Sequence, residues 1–401
     1  MNIGVIGLGA RGASILSMVL IPMEGFTVTA VCDGYEDRRT AAAKLLTDAG
    51  LPAPKQFADY HRLLDSGCVD SVYIATSWQT HSEIAIDAML AGVAVASEIG
   101  GAFTEHECWK LVETYEATKT PFMPMENCCF GQKELMVTRM VREGLFGDVT
   151  HCSGGYLHDL RDEIGFGREK RHYRLDNYKN RNCENYPTHE LGPIAVLLRL
   201  GHGNRMISLT STSSRAAGMS AYLAANKPDD TALAGQRWVQ GDVVNTTIKC
   251  AHGETIALTL DTTLPRYYSR GFSVHGTKAL YTEDNNSLFL DGVHNQFDFN
   301  WAPKWNNFEE YRKQYEHPIW QKFISEGIQG GHDGMDWLEF QAFRDCWQNK
   351  EKMPIDVYDM ASWMMVSLLS EQSIAMGSSP VAFPDFTNGG WLTNYDKGYF
   401  D

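Results

Sequence analysis

Near the amino terminus, the hexapeptide Gly7-Leu8-Gly9-Ala10-Arg11-Gly12 follows a β-branched run at residues 2–6 and precedes a helical stretch at residues 13–20. In that setting each glycine has its own task. Gly7 permits a tight turn, Gly9 lets a pyrophosphate approach the backbone, and Gly12 lets the helix pack closely on the strand. The acidic partner such a turn requires is Asp33, which closes the next strand-like run about twenty residues on, where a carboxylate meets ribose hydroxyls. The turn leads into a helix N-terminus, whose free N–H groups and positive dipole end favour phosphate. Together these features predict a dinucleotide-binding βαβ unit. Asp33 opposes a 2′-phosphate by like charge and so points to NAD, while the nearby Arg38 and Arg39 leave NADP open.

The rest of the first third continues the alternation of a doubly wound parallel sheet. Strand-like runs at residues 27–32, 71–75, 93–97 and 121–124 are separated by helical stretches at residues 38–49, 81–91 and 105–118. Gly92 falls where a C′ glycine would stop the helix before the fourth run. Three segments lie at the expected strand ends, where open α/β sheets bind ligands: Thr76-Ser77-Trp78-Gln79-Thr80-His81, Glu98-Ile99-Gly100-Gly101 and Glu126-Asn127. Beyond them the texture changes. A helical run at 134–142 leads to a strand-like run at 149–157 and a polar stretch over 158–185. Further strand-like runs recur at 206–211, 243–250, 255–261, 272–275 and 288–290, and helical patterns follow at 337–347 and 357–376. Sparse helices among so many strands imply an antiparallel or mixed sheet. The expected architecture is a Rossmann domain over residues 1–126, then an α+β domain over residues 127–401 with a large, mostly antiparallel open sheet.

Charge and cysteine content narrow the setting. Lys plus Arg total 35 against 50 for Asp plus Glu, a net charge of −15, which disfavours nucleic acid and anionic membranes as partners. No apolar run approaches the ~18–20 residues that span a bilayer. The chain opens directly on a strand with no basic start or apolar h-region, so no export signal is expected. Nine scattered cysteines form no disulfide framework, and the adjacent Cys128-Cys129 cannot make an ordinary zinc hook. The expectation is a reduced, cytoplasmic protein without a metal site.

With these elements in order, the chain resembles the Gfo/Idh/MocA family of NAD(P)-dependent sugar oxidoreductases along essentially its whole length. Most members carry Glu-Lys-Pro after the fourth strand, with a lysine that acts beside a later histidine; here the matching place reads Glu98-Ile99-Gly100. The second domain carries Glu126-Asn127-Cys128-Cys129-Phe130-Gly131, Gly154-Gly155-Tyr156-Leu157-His158-Asp159-Leu160-Arg161 and Asn185-Tyr186-Pro187-Thr188-His189. Those motifs are similar to glycoside hydrolase family 109, the NAD-dependent α-N-acetylgalactosaminidases. Residues 264–270 and 331–336 extend the likeness. Departures are Glu190 where glycine is expected, Arg174 following Tyr173 where the family tends to tryptophan, and the missing export signal. The resemblance implies an NAD site at Ala10, Arg11, Asp33, Trp78, Gln79, His81, Glu98, Ile99 and Asn127, beside the glycine turn. It implies a sugar site at Tyr156, Arg174, Tyr186, Pro187, Thr188, His189 and Tyr268, with Tyr267 one position away from the last. It also implies a small carbohydrate substrate and a homo-oligomer assembled through the open sheet.

The chemistry suits those residue types. Direct glycoside hydrolysis needs two flanking carboxylates. A redox route instead oxidises C3 of the sugar, which acidifies the C2 hydrogen, so that a base can remove it and expel the glycosidic oxygen from C1. Water then adds, and the hydride returns from the cofactor. His189 suits the C3 hydroxyl, since imidazole titrates near neutrality. Tyr156 suits C2, with Arg174 to lower its phenol or to fix a hydroxyl, and Tyr186 and Tyr268 offer flat faces and hydroxyls. The roles among these four remain interchangeable at this level. His158, Asp159, Asp162 and Glu163 read as a polar loop, since their spacing is not that of metal ligands. His332 and Asp336 divide evenly between a loop-fixing network and the site rim. A sugar dehydrogenase with His189 as base is the alternative activity, and an NAD-sensing protein without turnover is the non-enzymatic one.

Overall fold

The computed structural model describes residues 1–394 and 398–401. It divides into two compact units, Met1–Phe130 with Gln321–Met364, and Gly131–Trp320 with Met365–Asp401. This differs from the single expected boundary at 126/127, because a stretch of the C-terminal third returns to the first unit. Among the described residues no helix is long and apolar enough to cross a membrane.

The first unit is built on six parallel strands: β1 (Asn2–Ile6), β2 (Thr27–Cys32), β3 (Lys55–Phe57), β4 (Ser71–Ile74), β5 (Ala94–Glu98) and β6 (Phe122–Met125). Their order is β3-β2-β1-β4-β5-β6, the doubly wound arrangement expected, with the chain reversing direction across the sheet between β1 and β4. Helices cover both faces, so the central strands bury consecutive residues, and Val72, Tyr73 and Ile74 are all fully inside. The three-residue edge strand β3, reading Lys-Gln-Phe, has no apolar alternation and left no signal in the sequence. Gly92 does stop its helix: its N–H donates to Met89 O and that of Val93 to Ala88 O, both bonds of a Schellman motif.

The returning segment contributes the helix Met335–Asn349, which buries Leu338, Glu339, Ala342, Phe343 and Cys346, one face at helical spacing. Phe340, also buried, meets the ring of Tyr73 on β4 edge to face at 5.1 Å and that of Phe26 at 6.2 Å. This helix therefore shares the core of the parallel sheet.

Among the described residues the second unit holds eight strands: β7 (Val149–Leu157), β8 (Met206–Ser213), β9 (Val243–Cys250), β10 (Thr255–Asp261), β11 (Ser273–Gly276), β12 (Ala279–Thr282), β13 (Ser287–Leu290) and β14 (Val381–Ala382). Their order is β13-β12-β11-β7-β10-β9-β8-β14. Every pairing is antiparallel except β7 with β10, so the large, mostly antiparallel sheet is present as expected. Along β9, Val244, Thr246, Ile248 and Cys250 turn inward while Asn245, Thr247 and Lys249 face solvent, the alternation of a sheet covered on one side. The polar stretch over 158–185 folds into two short helices, Arg161–Gly165 and Arg174–Asn180. Eight of the nine cysteines are buried, and Cys68 is half-buried.

Phe340→Ala should leave a cavity beside Tyr73 and cost about 3–5 kcal/mol. A urea melt followed by circular dichroism would show a lowered midpoint with an unchanged slope; an unchanged midpoint would mean that the returning helix is not part of that core.

Candidate functional site

The glycine turn in the first unit is tightly specified. Gly7 sits at a φ of 94°, and its N–H donates to Cys32 O at 2.8 Å, joining the turn to the end of β2. A Cβ on Gly12 would lie 2.0 Å from Gly7 O, so only glycine lets the helix Ala10–Ile15 approach the strand this closely. A Cβ on Gly9 would meet nothing nearer than Arg38 Nη1 at 3.7 Å. The space beside the Gly9 backbone is thus open, as close pyrophosphate approach requires, and the residues present fit a dinucleotide.

Asp33 is fixed at that turn rather than merely near it. Its carboxylate accepts from the N–H groups of Leu8 at 2.8 Å and Tyr35 at 2.9 Å, and Arg38 Nη1 stands 3.6 Å away. Arg39 reaches only the Asp33 carbonyl, at 2.7 Å.

The remaining expected cofactor residues fall into two groups. Trp78 and Gln79 open the helix Trp78–Leu90 rather than sitting in a loop, Trp78 buried and Gln79 exposed. His81 lies one turn in and is 2% exposed; its ring nitrogens face Gly100 O at 3.2 Å and Thr76 O at 3.1 Å. It therefore braces the 98–101 turn against the helix start. Ile99 is buried, and Ala10 is exposed.

Arg11, Glu98 and Asn127 form a second group around Asp336. Arg11 Nε donates to Glu98 Oε1 at 2.8 Å, and Tyr73 Oη donates to the same oxygen at 2.7 Å. Arg11 also reaches both Asp336 oxygens, at 2.9 and 3.1 Å, and Asn127 Nδ2 donates to Asp336 Oδ1 at 2.8 Å. His332 Nδ1 lies 2.8 Å from Asp336 Oδ2. Burial alone would push the Asp336 carboxyl up, but His332 and the Arg11 guanidinium hold it well below the usual carboxylate range. Glu339, fully buried with no hydrogen bond to either oxygen, is driven the other way, first by burial and then by Glu98. Asp336 and His332 thus belong to a loop-fixing network, the first of the two readings left open for them.

In the second unit, the expected sugar residues come together as a group of rings. Tyr156, near the end of β7, lies 4.5 Å from Tyr186, 5.4 Å from His189 and 6.5 Å from Tyr268 between ring centroids. Tyr186 and His189 meet edge to face at 4.8 Å. Tyr268 joins the group, whereas Tyr267 is 95% exposed. Pro187 is the N-cap of the helix Thr188–Leu198, so Thr188 and His189 occupy its first turn. Thr188 is buried, and its hydroxyl makes no hydrogen bond. Arg174 is buried with its guanidinium 5.0 Å from the Tyr186 ring centre and 5.8 Å from that of Tyr156, and its Nε pairs with Glu163 Oε1 at 2.8 Å. Burial works against that charge, but Tyr173, Tyr156 and Glu163 more than restore it, leaving the guanidinium firmly protonated.

Two residues absent from the expected site belong to it. His158 Nδ1 is 3.1 Å from Tyr156 Oη, and its ring meets Tyr268 edge to face at 5.1 Å. The signal was the i, i+2 spacing of Tyr156 and His158, which puts both on one side of an extended chain. Arg270 is the other. It pairs with Glu134, lies 3.3 Å from Glu190 and 3.6 Å from Glu283, and its carbonyl accepts from Gly155 N–H at 2.7 Å, beside Tyr156. Glu190, the departure from glycine, is therefore a buried partner of a residue that anchors the Tyr268 segment to β7.

Comparison with known proteins bears on both units. Residues 1–125 match the model of an oxidoreductase family with an NAD-binding Rossmann fold, and residues 130–393 that of the glycosyl hydrolase 109 C-terminal domain. A glycosyl hydrolase family 109 protein of Stenotrophomonas maltophilia is 36% identical, covering 97% of this chain and 90% of its own. An alpha-N-acetylgalactosaminidase of Tannerella forsythia is 34% identical over 98% and 87%. Among solved structures, scyllo-inositol dehydrogenase from Lactobacillus casei with NAD(H) and scyllo-inositol superimposes with a TM-score of 0.68 at 14% identity, over 95% of this chain and 98% of that one. That likeness shows a shared fold.

Burial pushes the His81 imidazole below its ordinary value of 6.5, against the pull of the Thr76 and Gly100 carbonyls. The unfolded chain therefore binds a proton that the folded chain refuses, so stability is lost as pH falls below about 6.5. His81→Gln should flatten this part of a plot of melting temperature against pH; a slope equal to that of the unaltered protein would show that His81 is not held neutral.

Proposed function

We propose, from the premise that the chain belongs to glycosyl hydrolase family 109, that it is an NAD-dependent glycosidase releasing α-linked N-acetylgalactosamine or a closely related sugar. The observation that carries this reading is the grouping of Tyr156, Tyr186, His189 and Tyr268 in ring contact. These are phenols and an imidazole, suited to moving protons, rather than the carboxylate pair of direct hydrolysis. The names of the relatives from Tannerella forsythia and Shewanella oneidensis, both alpha-N-acetylgalactosaminidases, support the sugar.

The choice of NAD over NADP is supported by Asp33, whose carboxylate is held by two backbone N–H groups where a ribose would be read. A 2′-phosphate there would meet a like charge. Arg38 is already beside that carboxylate, which leaves it less available to a phosphate. Gly7, Gly9, Ala10, Gly12, Asp33, Trp78, Gln79 and Asn127 would hold the dinucleotide. Arg11, Glu98 and His81 would act through their backbones or by holding the surrounding turns, since their side chains are engaged elsewhere. When bound, NAD supplies reversible removal of hydride from C3 of the sugar, which leaves a ketone there and an acidic hydrogen at C2.

The chain's own groups do the rest. His189 holds the proton of the C3 hydroxyl and later returns it. Tyr156 takes the C2 proton; the electron pair left behind forms the C1–C2 double bond, and the C1–oxygen bond breaks. Arg174, charged and close to the Tyr156 and Tyr186 rings, stabilises negative charge on the phenol oxygen. Tyr186 and Tyr268 present faces and hydroxyls to the sugar ring.

Hydrolysis of an aryl α-N-acetylgalactosaminide in deuterated water should place deuterium at C2 of the released sugar and should depend on NAD⁺ with no net NADH formed. His189→Ala should lower kcat about 10²–10⁴-fold. Sugar free of deuterium would overturn the elimination route, and stoichiometric NADH from a free sugar would make the chain a dehydrogenase.

A further inference from the structure

The geometry points to His158 as the proton acceptor behind Tyr156: its Nδ1 takes the phenolic proton and so frees the oxygen to receive the one from C2. This deepens the proposed function and rests on it. The two side chains stand 3.1 Å apart from Oη to Nδ1, with their rings edge to face at 5.6 Å and 82°. The arrangement is held from several directions. His158 N–H donates to Asp261 O at 3.0 Å, continuing the β7–β10 pairing one residue past the strand. Leu157 exchanges two backbone hydrogen bonds with Ser269, fixing the Tyr268 segment alongside. The Tyr268 ring then closes on His158 at 5.1 Å.

The charges around His158 favour a neutral imidazole able to accept. Burial lowers its affinity for a proton, followed by Arg174 from the helix Arg174–Asn180, with His189 of the helix Thr188–Leu198 acting in the same sense. Glu163 and Asp159 oppose them. Glu163 is neutralised by Arg174 at 2.8 Å, and Asp159 by Arg161 at 2.6 Å. The role requires the tautomer with hydrogen on Nε2 and a lone pair on Nδ1.

The step balances. Tyr156 gives its hydroxyl proton to His158 Nδ1, leaving a phenolate beside the Arg174 guanidinium and an imidazolium. The phenolate takes the C2 proton, the C2–H electron pair becomes the C1–C2 double bond, and the C1–oxygen pair departs with the aglycone. The departing alkoxide takes one proton from solvent, and His158 releases one, so Tyr156 and His158 end in their starting states.

The test is His158→Asn, whose Oδ1 can take the place of Nδ1 and accept the same hydrogen bond but cannot be protonated. If His158 only orients Tyr156, H158N keeps kcat within about threefold, a result that overturns the inference. If it accepts the proton, kcat falls about 10²–10³-fold with KM nearly unchanged. The isotope effect on a C2-deuterated substrate then grows, and the acid limb of the kcat–pH profile loses its His158 component. In the resting protein, ¹⁵N-histidine spectra should show Nε2–H and a bare Nδ1 at residue 158. A hydrogen on Nδ1 of neutral His158 overturns the inference without reference to turnover. The ¹⁵N-histidine readout is made on the wild type and decides the tautomer even should H158N fail to fold. Failure of the parent reading is told apart by the wild type itself, which would then release sugar without C2 deuterium.

Discussion

One guanidinium organises the first unit. Arg11 projects from the glycine turn and is bound at once by Glu98 at the end of β5 and by Asp336 at the start of the returning helix. Each carboxylate has a further donor, Tyr73 for Glu98 and Asn127 for Asp336. Ion pairs this secluded gain little over an apolar substitute, yet removing one partner strands the others at a cost of about 3–5 kcal/mol. The network therefore works less as a source of stability than as a specification: the turn, the β5 terminus and residues 127 and 336 have one arrangement that satisfies every charge.

The second unit repeats the device around Arg270. Glu134, Glu190 and Glu283 converge on it, and its backbone ties the 268–270 segment to β7 through Gly155. Burial pushes the Glu134 carboxyl up even though Arg270 pulls it down, as expected where several carboxylates share one cation. The glutamate at position 190 thus changes the support under the ring cluster while leaving His189 in contact with Tyr156 and Tyr186.

Much of this was legible beforehand. The glycine turn, Asp33, the alternation of a doubly wound parallel sheet and the Gly92 helix stop follow from short-range sequence patterns. The returning helix did not announce itself, because its apolar face is equally consistent with packing on either unit; only the Tyr73 and Phe26 rings say which. Short strands such as β3 and β12 are held by their neighbours' hydrogen bonds rather than by their own pattern. In the candidate site, residue types such as Tyr156 and His189 could be read from motifs. Whether a side chain is turned to a ligand or to the protein could not, as His81 and Arg11 illustrate. His158 was passed over because its acidic neighbours made the segment look like solvated loop, whereas those neighbours are occupied by Arg161 and Arg174.

The seclusion of the sulfurs has a consequence for where such a fold can work. Burial raises the thiols of Cys32, Cys183 and Cys250 to about 12 and that of Cys346 to about 11, so the thiolate that attacks disulfides and oxidants is scarce at each. These cysteines behave as small apolar fillers. At these four positions the sulfur is therefore a poor nucleophile in a glutathione-rich and in an oxidising milieu alike.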